Sequence, residues 1–397
     1  MGPAGTNPGR VAVVTHGFFP TVGGSERYHL FGARGLDGAA IVEVFTADLN
    51  LDPAARGSSL SQRRTVGSIP VHYLPSSWVG SERLVRPSAL WGALRSFDPD
   101  VVWGNHPSLT ADLGAVFALL TRRPWIATYH ADVSLGSRRN RWYARWEAAL
   151  LRRARRILVT SEAYRALLTA RGVPAGRITV VPTGPYIGDG VPPSVPDREA
   201  GAAPDAPFLF VGALDQGHAY KRLDLLLGAL ALLAREQLPV SLEVVGDGER
   251  RREFETMART MGLAGRVRFL GHLSDEALAE RLAGARALIL PATSSAEGFG
   301  TAAIEAIQYG CPVVVHRSVS VGALLAEGPA ALVFDGEDPD HLAQPLRRLM
   351  TEPALRRALS EGALATAPRY RWEQLMPRIR SVVEELLPAS VAVGAPG

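Results

Sequence analysis

Cysteine is nearly absent from this sequence: Cys311 is the only one among 397 residues. A single thiol cannot close a disulfide within the chain or build a cysteine-based metal cluster. Long hydrophobic runs are also absent, since the most apolar stretch, residues 223–234, is too short to span a bilayer. The residues after Met1 lack the apolar core of a signal peptide, so we expect a cytoplasmic protein.

Strong charge of either sign is missing as well. Charged residues make up 21% of the chain, the net charge is +4, and 47% of the residues are hydrophobic, which is normal for a soluble globular enzyme. No dense block of basic residues is interleaved with aromatic ones, so nucleic acid is not expected as a partner. The mild positive balance permits anionic ligands or a weak peripheral contact with a membrane surface.

What the sequence does have is a series of apolar, β-branched runs, each followed by an amphipathic segment. In the first half, the predicted strands occupy residues 10–20, 41–47, 100–107, 125–132, 156–164 and 178–184. In the second half, they occupy residues 208–214, 241–249, 267–273, 287–293, 312–317 and 330–335. Continuous apolar strands that alternate with helices indicate parallel sheets covered on both faces. We therefore predict an α/β protein with two doubly wound, Rossmann-like domains.

A stretch rich in proline and glycine, residues 185–206, separates the two series and is the predicted linker. The predicted domains are residues 10–185 and 207–367, and a final amphipathic helix at 368–387 is expected to cross back to the first domain. Tandem domains of this kind bind ligands in a crevice outside the carboxyl ends of their strands. The loops that follow the strands are therefore the places to search for a site.

The stretch AEGFGTAAIEA, residues 296–306, follows a predicted strand and opens a helix. The backbone N–H groups of Phe299, Gly300 and Thr301 would point outward from this helix start. The two glycines, Gly298 and Gly300, let a ligand approach the backbone closely. A phosphate is the expected guest.

Two glutamates flank this helix start: Glu297 lies before it and Glu305 lies about one turn inside it. Carboxylates bind pairs of hydroxyls, because each oxygen accepts hydrogen bonds. Taken singly, either glutamate is explained as a helix-terminal charge or a surface residue. Together, the two glutamates and the helix start would bind hydroxyls, a phosphate and further hydroxyls, in that order. A nucleotide-sugar has its groups in this order, so the pattern favours a nucleotide-sugar as the ligand.

The stretch EGFGTAAIEA followed by YGCPVVV resembles the E-x7-E signature of retaining glycosyltransferases of family four, the glycosyltransferase group 1 type, which have the GT-B fold. The similarity extends from about residue 10 to 385. It implies that Glu297 meets the transferred sugar and that Glu305 holds the ribose hydroxyls. It also implies that the backbone at Phe299 and Gly300 contacts sugar hydroxyls and diphosphate, and that the first domain binds the acceptor and the second the nucleotide-sugar.

A polar loop in VGALDQGHAYKRLDLLL ends in Lys221 and Arg222 at the start of a predicted helix. Cations there would hold the diphosphate leaving group as the glycosidic bond breaks. The alternative, solvated residues of a first turn, is weakened because cations at a helix N-terminus oppose its dipole. The family pattern has an arginine and a lysine here: Lys221 matches the lysine, whereas Ala213 fills the arginine position. Arg222 and His218 are left open as substitutes.

Two further loops of the second domain are weaker candidates. Gly246 and Asp247, in VVGDGE, lie near the nucleotide according to the resemblance, although a simple turn explains them equally well. Main-chain groups around His272 and Leu273 are candidates to read the base. Ser274 is the expected N-cap of the helix that follows.

In the first domain, Gly23 and Gly24 follow the first strand within FFPTVGGSERY. They resemble the family's glycine loop, which lies over the diphosphate and the acceptor. A generic strand–turn–helix loop produces the same letters about as often. Ser25 is the expected N-cap of the next helix.

Histidines end several strands of the first domain. His130 does so in TYHAD, where the resemblance places a histidine against the donor sugar, and Asp132 is a weaker candidate beside it. His16 and His106 also end strands and are candidates to face the acceptor. A lone histidine is usually structural. These histidines are functional candidates only because they lie at the ends of strands.

The acceptor itself is not readable from the sequence. The Arg-rich segment 134–156 carries Trp142, Tyr143 and Trp146, which could stack on a sugar, cap an acidic acceptor or touch anionic lipid. The alternative is an amphipathic helix whose Trp face is buried. Two DPD triplets, at 98–100 and 338–340, mimic a metal-binding DxD motif but are better explained as structural turns, so we expect no essential metal.

We therefore predict a metal-independent, retaining GT-B glycosyltransferase with Glu297, His130 and Lys221 as its catalytic residues. It would move a hexose-type sugar from a UDP, GDP or dTDP donor, without a further cofactor, to a small-molecule or glycolipid acceptor in bacterial natural-product or glycoconjugate biosynthesis. We expect a monomer or homodimer. The alternative is a sugar-nucleotide epimerase, or a non-transferring nucleotide-sugar-binding relative on the same fold. A Rossmann oxidoreductase is disfavoured, because no G-x-G-x-x-G follows the first strand.

Overall fold

The computed structural model of the chain describes residues 8–19, 23–48, 63–78, 85–130, 138–187, 205–293 and 297–388. The chain divides into two compact units. The first unit comprises Met1–Pro182 together with Leu375–Gly397, and the second comprises Thr183–Gln374. Each unit is built on its own sheet, and the helices pack against that sheet.

The first unit contains an eight-stranded sheet and a separate two-stranded hairpin. Its strands are β1 (Gly9–Thr15), β2 (Ala40–Ala47), β3 (Arg63–Val66), β4 (Ile69–Leu74), β5 (Ser76–Trp78), β6 (Val85–Pro87), β7 (Val101–His106), β8 (Trp125–Tyr129), β9 (Arg156–Val159) and β10 (Ile178–Val180). The sheet order is β10-β9-β8-β7-β1-β2-β4-β3, and every neighbouring pair is parallel except β3 with β4. The central strand β1 is fully buried from Val11 to Val14, which explains its unbroken apolar sequence.

Helices connect the parallel strands of this unit. They are α1 (Gly24–Arg34), α2 (Leu90–Phe97), α3 (Leu109–Leu120), α4 (Arg138–Leu151) and α5 (Glu162–Ala170). Ser108 and Ser161 cap α3 and α5, because each hydroxyl accepts a hydrogen bond from a backbone N–H of the first turn. The chain returns to this unit at its end, where Arg156 and Glu385 form an ion pair of 2.7 Å.

The second unit contains a six-stranded, wholly parallel sheet. Its strands are β11 (Phe208–Val211), β12 (Leu242–Val245), β13 (Val267–Gly271), β14 (Ala287–Leu290), β15 (Val313–His316) and β16 (Ala331–Phe334). Their order is β13-β12-β11-β14-β15-β16. Successive residues of β14 enter different cores, since Leu288 packs in one cluster and Ile289 in the other. Both faces of the sheet are thus buried, as the continuous apolar strands predicted.

The helices of the second unit follow its strands. They are α6 (Leu223–Arg235), α7 (Arg251–Thr260), α8 (Asp275–Gly284), α9 (Thr301–Gln308), α10 (Ser320–Glu327), α11 (Pro339–Thr351) and α12 (Pro353–Thr366), and the last helix of the chain is α13 (Trp372–Glu384). A 3-10 segment with a kink at His218, Gln216–Lys221, precedes α6. Ser274 caps α8 as predicted, accepting a hydrogen bond from the N–H of Ala277 at 3.2 Å.

The structure confirms each predicted strand and adds four that the sequence pattern did not reveal. The additional strands are β3 to β6, which pair as two antiparallel hairpins. β3 is exposed and has the sequence RRTV, so it lacks the apolar run that marks a buried parallel strand. Most of the predicted linker, residues 188–204, lies outside the described residues, whereas Tyr186 and Ile187 are buried in the second unit. The predicted domain boundaries stay a prediction.

Candidate functional site

Two neighbouring strands of the second unit, β11 and β14, bring Lys221 and Glu297 together. The strands are parallel, so the loops after them emerge at the same edge of the sheet. The Lys221 Nζ lies 2.7 Å from Glu297 Oε2, and the two side chains are only 16% and 12% exposed. They line a small cavity together with Phe210, Pro291 and Ala292. A partly buried ion pair at the carboxyl end of a parallel sheet is the central feature of the site.

Lys221 is the only lysine among the 43 lysine and arginine residues of the chain. Its stem lies flat on the end of β11, because a Cβ added to Gly212 would come within 2.5 Å of Lys221 Cδ. Sequence analysis missed Gly212, whose role is visible only from this packing. An ammonium is a compact point charge, whereas a guanidinium is a larger planar fork. The one lysine of the chain therefore lies where the space beside the end of β11 is narrow.

The start of α9 is set by Gly300. Its backbone is left-handed, with φ of 87°, and it caps the helix without a side-chain hydrogen bond. A Cβ at this position would lie 2.9 Å from Val321 Cγ1 and 3.0 Å from Val319 Cγ1. Phe299 is buried just before it, and its carbonyl accepts the N–H of Val321 at 3.1 Å. The predicted roles of Gly298, Phe299, Gly300 and Thr301 in binding phosphate stay predictions.

Glu305 is half-buried in α9, one turn after Thr301, and it contacts a segment that sequence analysis did not single out. Its Oε1 accepts a hydrogen bond from the N–H of Tyr186 at 3.3 Å. The Tyr186 hydroxyl is 2.6 Å from Thr183 Oγ1, and its ring stacks on Trp372. The carboxylate therefore contacts a backbone N–H that lies 119 positions earlier in the chain.

Arg222 does not lie in the first turn of α6 but caps it, with a left-handed backbone (φ 54°, ψ 45°). Its Nη1 donates to Thr293 Oγ1 at 3.1 Å, and its Nε donates to Asp224. His218, the other open substitute, lies in the 3-10 segment with its Nδ1 2.7 Å from Asp215 Oδ1. Arg222 thus reaches Thr293, just after β14, whereas His218 contacts Asp215 at the start of its own segment.

The loop after β12 packs on the loop after β11. Gly246 has φ of 123°, and a Cβ there would clash with the Gly212 carbonyl oxygen. A hydrogen bond from the N–H of Gly248 lowers the pKa of Asp247, and Arg251 adds to the effect. These contacts explain the glycines of GDGE by backbone packing. Whether Gly246 and Asp247 also touch a nucleotide stays a prediction.

The two residues predicted to read the base follow β13 directly. Gly271, with φ of 70°, ends the strand and accepts the N–H of Gly246 at 2.8 Å. His272 is exposed, and Leu273 is half-buried against one of the two cores. Their main-chain role stays a prediction.

In the first unit, His130 ends β8 and packs in a group of imidazoles. Its N–H donates to the His106 carbonyl at 3.2 Å, and its ring meets Tyr28 and His29 at centroid distances of 4.9 and 5.4 Å. Burial lowers the pKa of His130 well below its ordinary value, and the neighbouring imidazoles His29 and His16 act in the same direction. His130 is therefore a neutral imidazole at physiological pH.

His29, in the middle of α1, is a member of this group that sequence analysis missed. Its Nδ1 donates to the Ser25 carbonyl at 2.7 Å, and burial lowers its pKa to about 4. Nothing in the sequence pattern distinguishes it from a surface histidine. His106 is fully buried, with Nδ1 3.3 Å from Asp112 and 3.9 Å from Glu147, so the prediction that it faces the acceptor is wrong.

The low pKa of His29 predicts acid lability. The unfolded imidazole binds a proton near pH 6.5 and the folded one only near pH 4, so stability is complete above about pH 6.5 and falls as the pH drops toward 4. This group alone is expected to remove about 3 kcal/mol of unfolding free energy by pH 4. Urea titrations at pH 7.5, 6 and 5 measure the slope, and His29→Phe should flatten it. An unchanged slope in that variant would contradict the assignment.

The start of α1 differs from the prediction. Gly23 caps the helix in an extended conformation, and Gly24 is its first residue, so the prediction of Ser25 as the N-cap is wrong. The Glu26 carboxylate folds back over Gly23, where a Cβ would clash with Oε2. Residues 20–22 lie outside the described residues. Contact of Gly23 and Gly24 with a diphosphate stays a prediction.

On α4, two tryptophans face solvent. Trp142 is 66% exposed and Trp146 is 45% exposed, so the alternative of a buried Trp face is wrong. They lie one turn apart, next to the exposed Arg145, while the acidic residue of the helix, Glu147, is buried. Residues 131–137, including Asp132, lie outside the described residues.

Both DPD triplets are structural. Asp98 ends α2 in a left-handed conformation and pairs with Arg123, and Asp338 caps α11 before Pro339. Within the described ranges, no three His, Cys, Asp or Glu side chains are grouped to hold a metal ion. Across the same ranges, no helix combines the length and apolar character needed to cross a membrane.

Two family models match the chain, each over a different part of it. A "Glycosyl transferase 4-like domain" matches residues 23–184, and "Glycosyl transferases group 1" matches residues 198–365. The D-inositol 3-phosphate glycosyltransferase of Geodermatophilus obscurus is 32% identical over 247 residues, which cover 58% of this chain and 53% of that protein. The enzyme of the same name from Nocardiopsis dassonvillei is 31% identical over 265 residues, or 64% and 59% of the two chains. The chain thus spans a little over half the length of these relatives.

Solved structures match nearly the whole chain. Sucrose-phosphate synthase from Thermosynechococcus elongatus superposes with a TM-score of 0.74 at 20% identity, covering 95% of this chain and 99% of that one. Anabaena HepE in complex with UDP-glucose gives a TM-score of 0.72 at 20% identity, with the same coverage. These similarities confirm the predicted fold, two Rossmann-like α/β domains of the kind found in GT-B glycosyltransferases.

Proposed function

The chain belongs to the group 1 glycosyltransferases with the GT-B fold, and from that membership we propose that it is a retaining enzyme. In the proposed reaction, it transfers a hexose-type sugar from a nucleotide-diphosphate donor to an acceptor hydroxyl, and the configuration at the anomeric carbon is retained. The observation that carries the proposal is the partly buried pair of Lys221 and Glu297 beside the glycine-capped start of α9. It supplies a cation for a leaving diphosphate and a carboxylate for sugar hydroxyls at the carboxyl edge of one sheet.

In the proposed reaction, the acceptor oxygen bonds to the anomeric carbon as the bond from that carbon to the diphosphate breaks. The departing diphosphate oxygen takes the acceptor proton on the same face, so no protein nucleophile is required. Lys221 and the N–H groups from Phe299 to Thr301 stabilise the charge that grows on the phosphate. Glu297 orients the sugar, and Glu305 holds the ribose hydroxyls. Positioning and charge stabilisation supply the rate enhancement, without a metal ion.

His130 keeps its proposed role as a residue that orients the transferred sugar. Because burial keeps its imidazole neutral, it can donate one hydrogen bond and accept another without adding charge beside the donor. A neutral imidazole suits a sugar hydroxyl, which also donates and accepts. The acid limb of the activity profile is therefore expected to come from groups other than His130.

A thermal screen with UDP, GDP, dTDP and ADP tests the proposal and names the base. UDP is the first candidate, because the structurally similar HepE has been crystallised with UDP and with UDP-glucose. A ligand at about a hundredfold excess over its Kd should raise the melting temperature by roughly 5–10 °C. If none of the four stabilises the protein, the proposed donor site is refuted.

The rival function, a sugar-nucleotide epimerase or a non-transferring relative, is kept because the arginine expected at Ala213 is absent. Release of nucleoside diphosphate from the donor, measured with and without acceptor, separates the two. A transferase releases diphosphate quickly only when acceptor is present, whereas an epimerase releases none. D-inositol 3-phosphate should be among the acceptors tested, because two relatives that are about a third identical over the matched residues are D-inositol 3-phosphate glycosyltransferases.

The exposed face of α4 supports a weak peripheral contact with an anionic surface. Trp142, Arg145 and Trp146 combine amphipathic rings with positive charge on one helix face. This arrangement fits a glycolipid acceptor presented at a cytoplasmic membrane surface, and the enzyme is proposed to act there as a monomer or homodimer. Co-sedimentation with anionic and with neutral phospholipid vesicles is the direct measurement.

A further inference from the structure

We propose that Arg222 is the second cation of the diphosphate site, and that it stands in for the arginine which the sequence lacks at Ala213. The inference rests on the proposed function and adds the residue that completes its leaving-group site. The proposed diphosphate site has little positive charge without Arg222, because Lys221 already contacts Glu297 at 2.7 Å and Ala213 is uncharged. A diphosphate carries more than one negative charge, so one partly compensated ammonium leaves the site short of cations.

The backbone of Arg222 is the first observation. Four non-glycine residues of the described chain have a left-handed φ: Asp98, Arg122, Arg222 and Gln237. The other three follow the last turns of α-helices, where this conformation is a common way to end a helix. Arg222 instead closes a short 3-10 segment and begins α6. Glycine adopts this conformation without steric cost, whereas Arg222 adopts it despite its Cβ.

The direction of that side chain is the second observation. Nη1 donates to Thr293 Oγ1 at 3.1 Å, which places the guanidinium beside the residues that directly follow β14. Nε donates to Asp224, but this carboxylate is 42% exposed, and pairs of that kind hold weakly. Among the described residues, Nη2 has no hydrogen-bond partner. The fork can therefore turn to a phosphate without breaking a buried contact.

The competing residue, His218, fits less well. Its Nδ1 and its backbone N–H both contact Asp215 Oδ1, at 2.7 and 2.9 Å, so the histidine belongs to the cap of its own 3-10 segment. A guanidinium can also bind two phosphate oxygens at once through its planar fork, which an imidazole cannot do. Arg222 is the substitute that both geometry and chemistry favour.

The test compares Arg222→Gly with the wild type. Glycine removes the side chain and suits the backbone, so the melting temperature should stay the same or rise. Calorimetry then measures Kd for whichever of UDP, GDP, dTDP and ADP stabilises the wild type, and for its monophosphate. We expect at least a tenfold loss for the diphosphate and less than a threefold loss for the monophosphate. Arg222→Lys, which keeps the charge and loses the fork, should lie between.

Arg122→Gly is the matched control, because Arg122 has nearly the same φ of 58° in the first unit. It should leave both Kd values unchanged. Adding Ala213→Arg to Arg222→Gly should restore most of the diphosphate affinity. If Arg222→Gly binds both nucleotides as the wild type does while Lys221→Met loses the diphosphate, the inference is overturned and the proposed function stands. An equal loss for the two nucleotides would also overturn it, since that pattern marks a structural role.

Discussion

Replacing Lys221 with methionine is expected to lower kcat by about 10²- to 10³-fold, the loss typical of removing one preorganised group that stabilises transition-state charge. Methionine keeps the length of the stem and removes only the charge. The effect should fall on kcat more than on KM, because the charge on the departing diphosphate is largest in the transition state. Steady-state kinetics with the donor identified by the thermal screen measure it.

Lys221→Arg is the informative partner of that variant. If charge alone mattered, arginine would serve, as it does at all the other cationic positions of the chain. The stem of Lys221, however, lies against Gly212, where an added Cβ would come within 2.5 Å of Lys221 Cδ. The larger, planar guanidinium of Lys221→Arg is therefore expected to displace Glu297, and the variant should lose more than tenfold in kcat. If Lys221→Arg has the wild-type kcat, the close packing of the Lys221 stem on Gly212 does not affect catalysis.

The pairing of Lys221 with Glu297 can be tested as a unit. A double-mutant cycle combines Lys221→Met with Glu297→Gln. The increase in activation free energy of the double variant should be smaller than the sum of the increases of the two single variants, because each single variant leaves the other group unpaired. Because the chain has one lysine, reductive methylation with ¹³C-formaldehyde labels a single side chain besides the terminal amine. Its signal should move when nucleoside diphosphate displaces Glu297 from the ammonium.

The position of this pair was within reach of sequence reasoning, and the physical reason is general. Lys221 and Glu297 each follow a continuous apolar strand, and parallel strands place their carboxyl ends at one edge. Loops and strand ends could be located because apolar runs stop there. The same reasoning failed for His106, whose position at a strand end suggested exposure, because two buried carboxylates from α3 and α4 enclose it.

Other parts of the site leave no trace in a linear pattern. Tyr186 contributes a backbone N–H, which any residue but proline carries, and it meets Glu305 across 119 positions. Gly212 matters because a side chain from another turn lies on it. His29 sits inside a helix, and burial, with His106 and His16 nearby, lowers its pKa. Such roles come from contacts distant in sequence, which periodicity and motif spacing do not encode.

Glu305→Ala is expected to raise the donor KM by about 10- to 100-fold while leaving kcat within about threefold, because hydrogen bonds to a charged group contribute roughly 1.5–3 kcal/mol. The ribose is remote from the bond that breaks, so its contacts are expected to be equally strong in the ground and transition states and to appear in KM alone. Glu255→Gln, on α7 of the same unit and paired with Arg251 at 2.8 Å, is the control expected to change neither constant.

A ligand lacking the hydroxyl separates recognition from damage to the fold. The wild type should bind the nucleoside diphosphate more tightly than its 3′-deoxy analogue, by about the factor that one charged hydrogen bond provides. Glu305→Ala should bind the two equally, since the group that distinguishes them is gone. If the variant keeps the wild-type preference, Glu305 only braces Tyr186, and the ribose must be held by another residue. That outcome would leave the diphosphate site at Lys221 intact and move the ribose away from α9.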